Sequence, residues 1–95
     1  MTIRDLANND NEIIDVIFVD AEYEILVRCW DGSDLAFKTV GCTGADYDTE
    51  HVSEIGDIDI EDGLYIFKDA WEGKVFLKIH ADDIVQITYK EGLEG

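Results

Sequence analysis

Apolar and polar residues alternate along most of this chain with a period of two, the repeat that sends successive side chains to opposite faces of a strand. Residues 13–19 (I-I-D-V-I-F-V) and 23–30 (Y-E-I-L-V-R-C-W) are β-branched and aromatic, and they read as two strands of a hairpin turning near residues 20–22. Asp31-Gly32 marks a second tight turn, because Gly accepts the positive φ that such turns demand. The third strand, residues 35–40, sets Leu35, Phe37 and Thr39 on one face and Ala36, Lys38 and Val40 on the other. Residues 64–68, 75–80 and 84–90 are three further strands, with connections at 69–73 and 81–83. Trp30, Tyr65, Phe67 and Phe76 read as core or rim residues, whereas Trp71 stands in a connection and is a candidate anchor for an interface.

Six short strands with hairpin spacing and no proline predict an all-β or mainly β fold with short helices, in the form of a small antiparallel sheet or barrel. Parallel pairing is disfavoured, since only the 41–62 segment is long enough for a crossover. Two stretches leave the pattern. Thr2 with Asp5 resembles a capping pair, so residues 3–7 form a helical turn or two. Thr49 as an N-cap, Val52 and Ile55 on a common face and Gly56 as a stop suggest a short helix over residues 49–56.

The 41–62 segment also holds the densest charge. Asp46, Asp48, Glu50, Glu54, Asp57, Asp59, Glu61 and Asp62 fall within residues 46–62, which contain no Lys or Arg. Asp57-Ile58-Asp59-Ile60-Glu61 alternates strictly, so an extended backbone turns both isoleucines one way and three carboxylates the other. Such a row repeats every ~6.6 Å. A DNA strand carries one charge per ~3.4 Å of axial rise, and two adjacent rows approximate that density.

Composition extends the same theme to the whole molecule. With 23 Asp and Glu against seven Lys and Arg, the formal charge is -16 over 95 residues. Solubility of a small domain needs a magnitude of only about 2 to 8, and the surplus repels itself. Disorder does not follow, because 46% of the residues are hydrophobic. Residues 1–95 therefore read as a single acidic β-rich domain. No apolar run is long enough for a membrane span and no signal-like core follows Met1, which predicts a cytoplasmic protein with Cys29 and Cys42 reduced.

Chemistry has few candidates. Cys29, Cys42, His51 and His80 match no zinc spacing. Asp46, Asp48 and Glu50 occupy the first, third and fifth places of a calcium loop, but His51 replaces its turn glycine and Asp57 its closing Glu. Cys42 with His51 or His80 is the one nucleophile and base combination, and anionic surroundings oppose thiolate formation. The expectation is a non-enzymatic protein with no catalytic, cofactor or metal residues. Direct nucleic-acid binding is opposed by the sign of the charge, so the partner is expected to be basic.

The small size, the extreme acidity and the carboxylates of residues 46–62 resemble phage-encoded DNA-mimic inhibitors, among them anti-CRISPR proteins and restriction inhibitors. The resemblance implies occlusion of a DNA-binding channel in a bacterial defence complex such as CRISPR-Cas. The partner-binding residues it points to are Asp46, Asp48, Glu50, Glu54, Asp57, Asp59, Glu61 and Asp62. The alternative is an acidic interaction or adaptor module with a hydrophobic interface near Trp71.

Overall fold

The computed structural model describes residues 2–47 and 54–88. After a 3-10 turn at Ile3–Leu6 come eight strands: β1 (Glu12–Val19), β2 (Glu22–Arg28), β3 (Asp34–Val40), β4 (Gly44–Tyr47), β5 (Ile55–Glu61), β6 (Leu64–Asp69), β7 (Val75–His80) and β8 (Asp83–Ile87). They form two four-stranded antiparallel sheets, ordered β1-β2-β3-β8 and β4-β7-β6-β5, which do not close into a barrel among the described residues. The expectation of six strands is corrected to eight. Both additions, β4 and β5, come from the 41–62 segment. Ile55 and Gly56, read above as the end of a short helix, open β5, while residues 48–53 lie outside the described residues.

The sheets meet at a corner. β3 passes into β4 through residues 41–43, and β7 passes into β8 through Ala81 and Asp82, so two paired strands turn together from one sheet to the other. The Asp82 N–H donates to Val40 O at 2.8 Å and the Thr43 N–H to His80 O at 2.8 Å, which keeps the backbone satisfied round the bend. Glu22 braces it, accepting bonds from the Thr39 hydroxyl (2.6 Å) and from the Gly41 and Cys42 N–H groups (3.0 and 3.1 Å).

Alternation then fills the space between the sheets. Ile25, Val27 and Phe37 from one sheet meet Ile55, Phe67, Leu77 and Ile79 from the other, all essentially without solvent contact, and Leu6 of the 3-10 turn closes one end. A buried Leu, Ile or Phe stabilises by about 1.5–3 kcal/mol, which lets this core outweigh the repulsion of the surface charges. Tyr65 and Phe76 join the core as expected. Trp30 does not. β2 ends at Arg28, opposite Asp34, so Trp30 falls in the turn and is 76% exposed.

Two backbone positions carry measurable constraints. The β1–β2 hairpin turns on Asp20 and Ala21, with φ of 53° and 67°. Holding a residue with a Cβ in this left-handed region costs about 1–2 kcal/mol, so Ala21→Gly should raise stability by up to about 1 kcal/mol in a thermal or urea melt. Gly56 has the opposite sign. A Cβ there would lie 2.7 Å from Asp69 O and 3.0 Å from Ala70 Cα, both backbone atoms. Gly56→Ala should therefore cost about 1–3 kcal/mol through overpacking in the same melt. Wild-type stability in that variant would show that the β5–β6 contact is slack.

Candidate functional site

β5 is an edge strand whose alternation works as the sequence requires: Ile58 is buried and Ile60 half-buried, while Asp57, Asp59 and Glu61 point to solvent. Its start is covered by the segment after the 3-10 turn. The Asn8 N–H donates to Gly56 O (2.7 Å), the Ile55 N–H donates to Asn11 O (2.8 Å), and Glu12 faces Glu54 in an isolated antiparallel bridge. This pairing carries Asp10 and Glu12, remote in sequence, to the side of Glu54. A seam of carboxylates results, running from Asp10, Glu12 and Glu54 along Asp57, Asp59 and Glu61 to Asp62 in the β5–β6 turn.

The members of the seam differ in their surroundings. Glu54 is raised above the ordinary glutamate range, first by its hydrogen bond with Asp10, then by burial and by the charges of Asp10 and Glu12. Asp57 accepts from Asn8 Nδ2 at 2.9 Å. Asp59 pairs with Lys68 Nζ at 2.9 Å, and this bond raises the Lys68 pKa, with a smaller contribution from the charge of Asp57. Glu61 and Asp62 make no side-chain hydrogen bond among the described residues, which leaves them the barest anions of the row.

Trp71 lies near the Glu54 end. Asp69 Oδ1 accepts the N–H groups of Trp71 (3.0 Å), Glu72 (2.6 Å) and Gly73 (3.1 Å), a set of bonds that fixes the turn and lowers the Asp69 pKa. The neighbouring Ala70 N–H donates to Glu54 O at 3.0 Å, which ties this turn to the seam. The indole itself is 80% exposed.

Asp46 is placed elsewhere. It sits on β4, at the opposite edge of the sheet and in register with Lys78 of β7. Three interstrand steps of about 4.8 Å put it roughly 14 Å from β5. Asp48 and Glu50 lie outside the described residues. The outward face between the two acidic edges is not purely anionic, since Lys78 and His80 of β7 and Lys68 of β6 project from its middle. Asp10 and Glu12, which do belong to the seam, gave no local signal: N-N-D-N-E reads as a polar connection, and its role exists only through pairing with β5.

For the thiol chemistry, Cys42 Sγ donates to Gly44 O at 3.5 Å, and His80 Nδ1 shares a 2.7 Å hydrogen bond with the Thr43 hydroxyl. His51 lies outside the described residues. Both thiols are free. Among the described residues no group of three His, Cys, Asp or Glu side chains is placed to hold a metal ion. No described helix is long and apolar enough to cross a membrane.

No family model, curated protein or solved structure matches the chain. The site is accordingly defined by its own geometry.

The shifted carboxylates fix the pH response. Glu22, held low chiefly by the Thr39 hydroxyl, and Asp69, held low chiefly by the Glu72 N–H, contribute stability that is complete above their unfolded values near pH 4. That contribution is lost as pH falls through their depressed folded values. Glu54 acts in the other sense: its raised value makes its contribution complete below the unfolded value and lost as pH rises through the folded one. Melting temperature should therefore rise as pH is lowered from 7 toward the ordinary glutamate range and fall below about pH 4, and Glu54→Gln should flatten the rise. A melting temperature that drops steadily from pH 7 down to the ordinary glutamate range would contradict the seam's like-charge coupling.

Proposed function

We propose that this protein is a non-enzymatic inhibitor that offers its β5 seam to a basic, nucleic-acid-binding protein in the bacterial cytoplasm, in the manner of a DNA mimic. The observation that carries the reading is the exposed row of Asp57, Asp59 and Glu61 on an extended strand whose isoleucines are anchored in the core. Because the row is held by the fold, its carboxylates reach a partner with little ordering cost, and Asp10, Glu12 and Glu54 lengthen it beyond what residues 46–62 provide. A CRISPR-Cas complex or another DNA-binding defence complex is the kind of target such a row suits, with binding that excludes DNA.

A second reading has its own observation. The Trp71 indole is displayed on a turn fixed by three backbone bonds to Asp69, an arrangement suited to docking in an apolar pocket of a partner. Salt separates the two readings, because exposed charge pairing is screened over about 10 Å at 0.1 M, whereas apolar docking is not.

The test is a lysate pull-down with and without competing DNA, followed by titration of the captured protein. Replacing Asp57 and Asp59 by Asn and Glu61 by Gln should change the melt little, since relief of like-charge repulsion offsets the loss of the exposed Asp59–Lys68 pair. Each exposed pairing is worth ~0.2–1 kcal/mol, so the triple variant should bind more weakly by about 1–3 kcal/mol if the terms add. Single changes should be barely visible. Affinity that is flat with salt and lost in Trp71→Ala would replace mimicry by the adaptor reading.

A further inference from the structure

The first sheet carries aliphatic side chains on the side away from the core as well as on the side facing it. Val16, Ile25, Val27, Phe37 and Ile84 pack inward, so by alternation Ile17, Leu26, Ala36, Val40, Val85 and Ile87 turn outward. Ile17, Val40 and Val85 are exposed by 38, 44 and 39%, and Leu26 and Ile87 are half-buried. An antiparallel sheet with one face in water alternates apolar and polar residues. This sheet departs from that rule on four adjacent strands.

Charge on the same face departs from the rest of the molecule. The chain has a formal charge of -16, yet over residues 24–28 and 34–38 the outward charges cancel, Glu24 and Asp34 against Lys38 and Arg28. Arg28 and Asp34 already meet at 3.0 Å within the chain. A basic partner would face two cations at the centre of this surface, and an acidic one two carboxylates.

The order of the residues says what covers them. Cross-strand register places Ile17, Glu24, Lys38 and Val85 in one row, which reads apolar, acidic, basic, apolar. Turned end for end and laid on itself, this row sets Glu24 against Lys38 twice and Ile17 against Val85 twice. A two-fold axis parallel to the strands, between β2 and β3, performs that operation for the whole face. It also brings Leu26 over the small Ala36 and Arg28 over Asp34, because those residues are paired across the same two strands. The exposed Asp15 and Asp83 fall at the rim, on the outer strands.

We propose that the outer face of the first sheet binds a second copy of this chain, the two sheets packing face to face about that axis. Four strands and about six residues of each span roughly 19 by 20 Å, a small area for a specific interface. The dimer is therefore weak and depends on concentration. The β5 seam belongs to the other sheet and stays open in both copies, so self-association and binding at the seam are separate properties.

The experiment is sedimentation equilibrium of the full chain from about 10 μM to 1 mM, a range suited to such affinities. The wild type should dimerise, and at least about threefold more tightly in 0.5 M than in 0.05 M salt, because salt screens the repulsion between two acidic chains. Glu24→Lys and Lys38→Glu should each weaken the dimer at least about tenfold by setting like charges face to face. An equimolar mixture of the two variants should associate within about threefold of wild type, since each supplies the charge the other lacks. That recovery separates a lost contact from a damaged fold. A wild-type chain that stays monomeric throughout, a mixture no better than the single variants, or a dimer abolished by the Asp57, Asp59 and Glu61 triple variant would each overturn the proposal.

Discussion

Everything in this molecule depends on the corner at which two paired strands leave one sheet for the other. A flat four-stranded sheet of this size has one face to bury and nothing to bury it against. By turning β3 and β8 into β4 and β7, the chain folds its own second sheet over the first and encloses a single core. The bend exposes backbone groups that the ladders no longer serve, and a carboxylate from β2 collects two of them while binding the Thr39 hydroxyl. An acidic residue is thus used as a hydrogen-bond acceptor inside the architecture. In a chain with so many carboxylates, Glu22 shows that they are not all equivalent surface charge.

The same distinction runs through the seam. Asp57 and Asp59 are met by Asn8 and Lys68, Glu54 is pressed against another carboxyl, and Glu61 stands bare among the described residues. A row drawn from sequence alternation treats its members as identical, whereas a basic partner would meet groups whose anionic character has been graded by the fold. Lys68 has a particular position here, because any partner cation approaching Asp59 must compete with it.

Much of the fold was legible in the alternation. Ile13, Ile25, Phe37, Phe67, Leu77 and Ile79 lie inside because period two, β-branching and turn chemistry all agree at those places. β5 was legible as an extended row, yet its opening residues also satisfied a helix-end pattern, and local rules cannot rank the two. β4 was missed because G-A-D-Y is only four residues long and opens on a glycine, too short a run for alternation to stand out in sequence. Trp30 was misplaced since its β propensity outlasts the pairing that ends at Arg28. The joining of Asp10 and Glu12 to Glu54 is a long-range contact between polar segments, and no periodicity encodes it.

The closure between the first and fifth strands has one more consequence. Among the described residues, the bridge between the start of β1 and the residue before β5 sets Glu12 against Glu54, two glutamates facing each other. Opposed like charges weaken a cross-strand pair, so the molecule resembles a clasp with a firm hinge and a reluctant catch. A proton on Glu54, favoured by its hydrogen bond with Asp10, removes one of the two facing charges. Proton uptake at the seam and the pairing of the two segments at this contact are therefore linked: the same proton that neutralises Glu54 strengthens its bridge to Glu12.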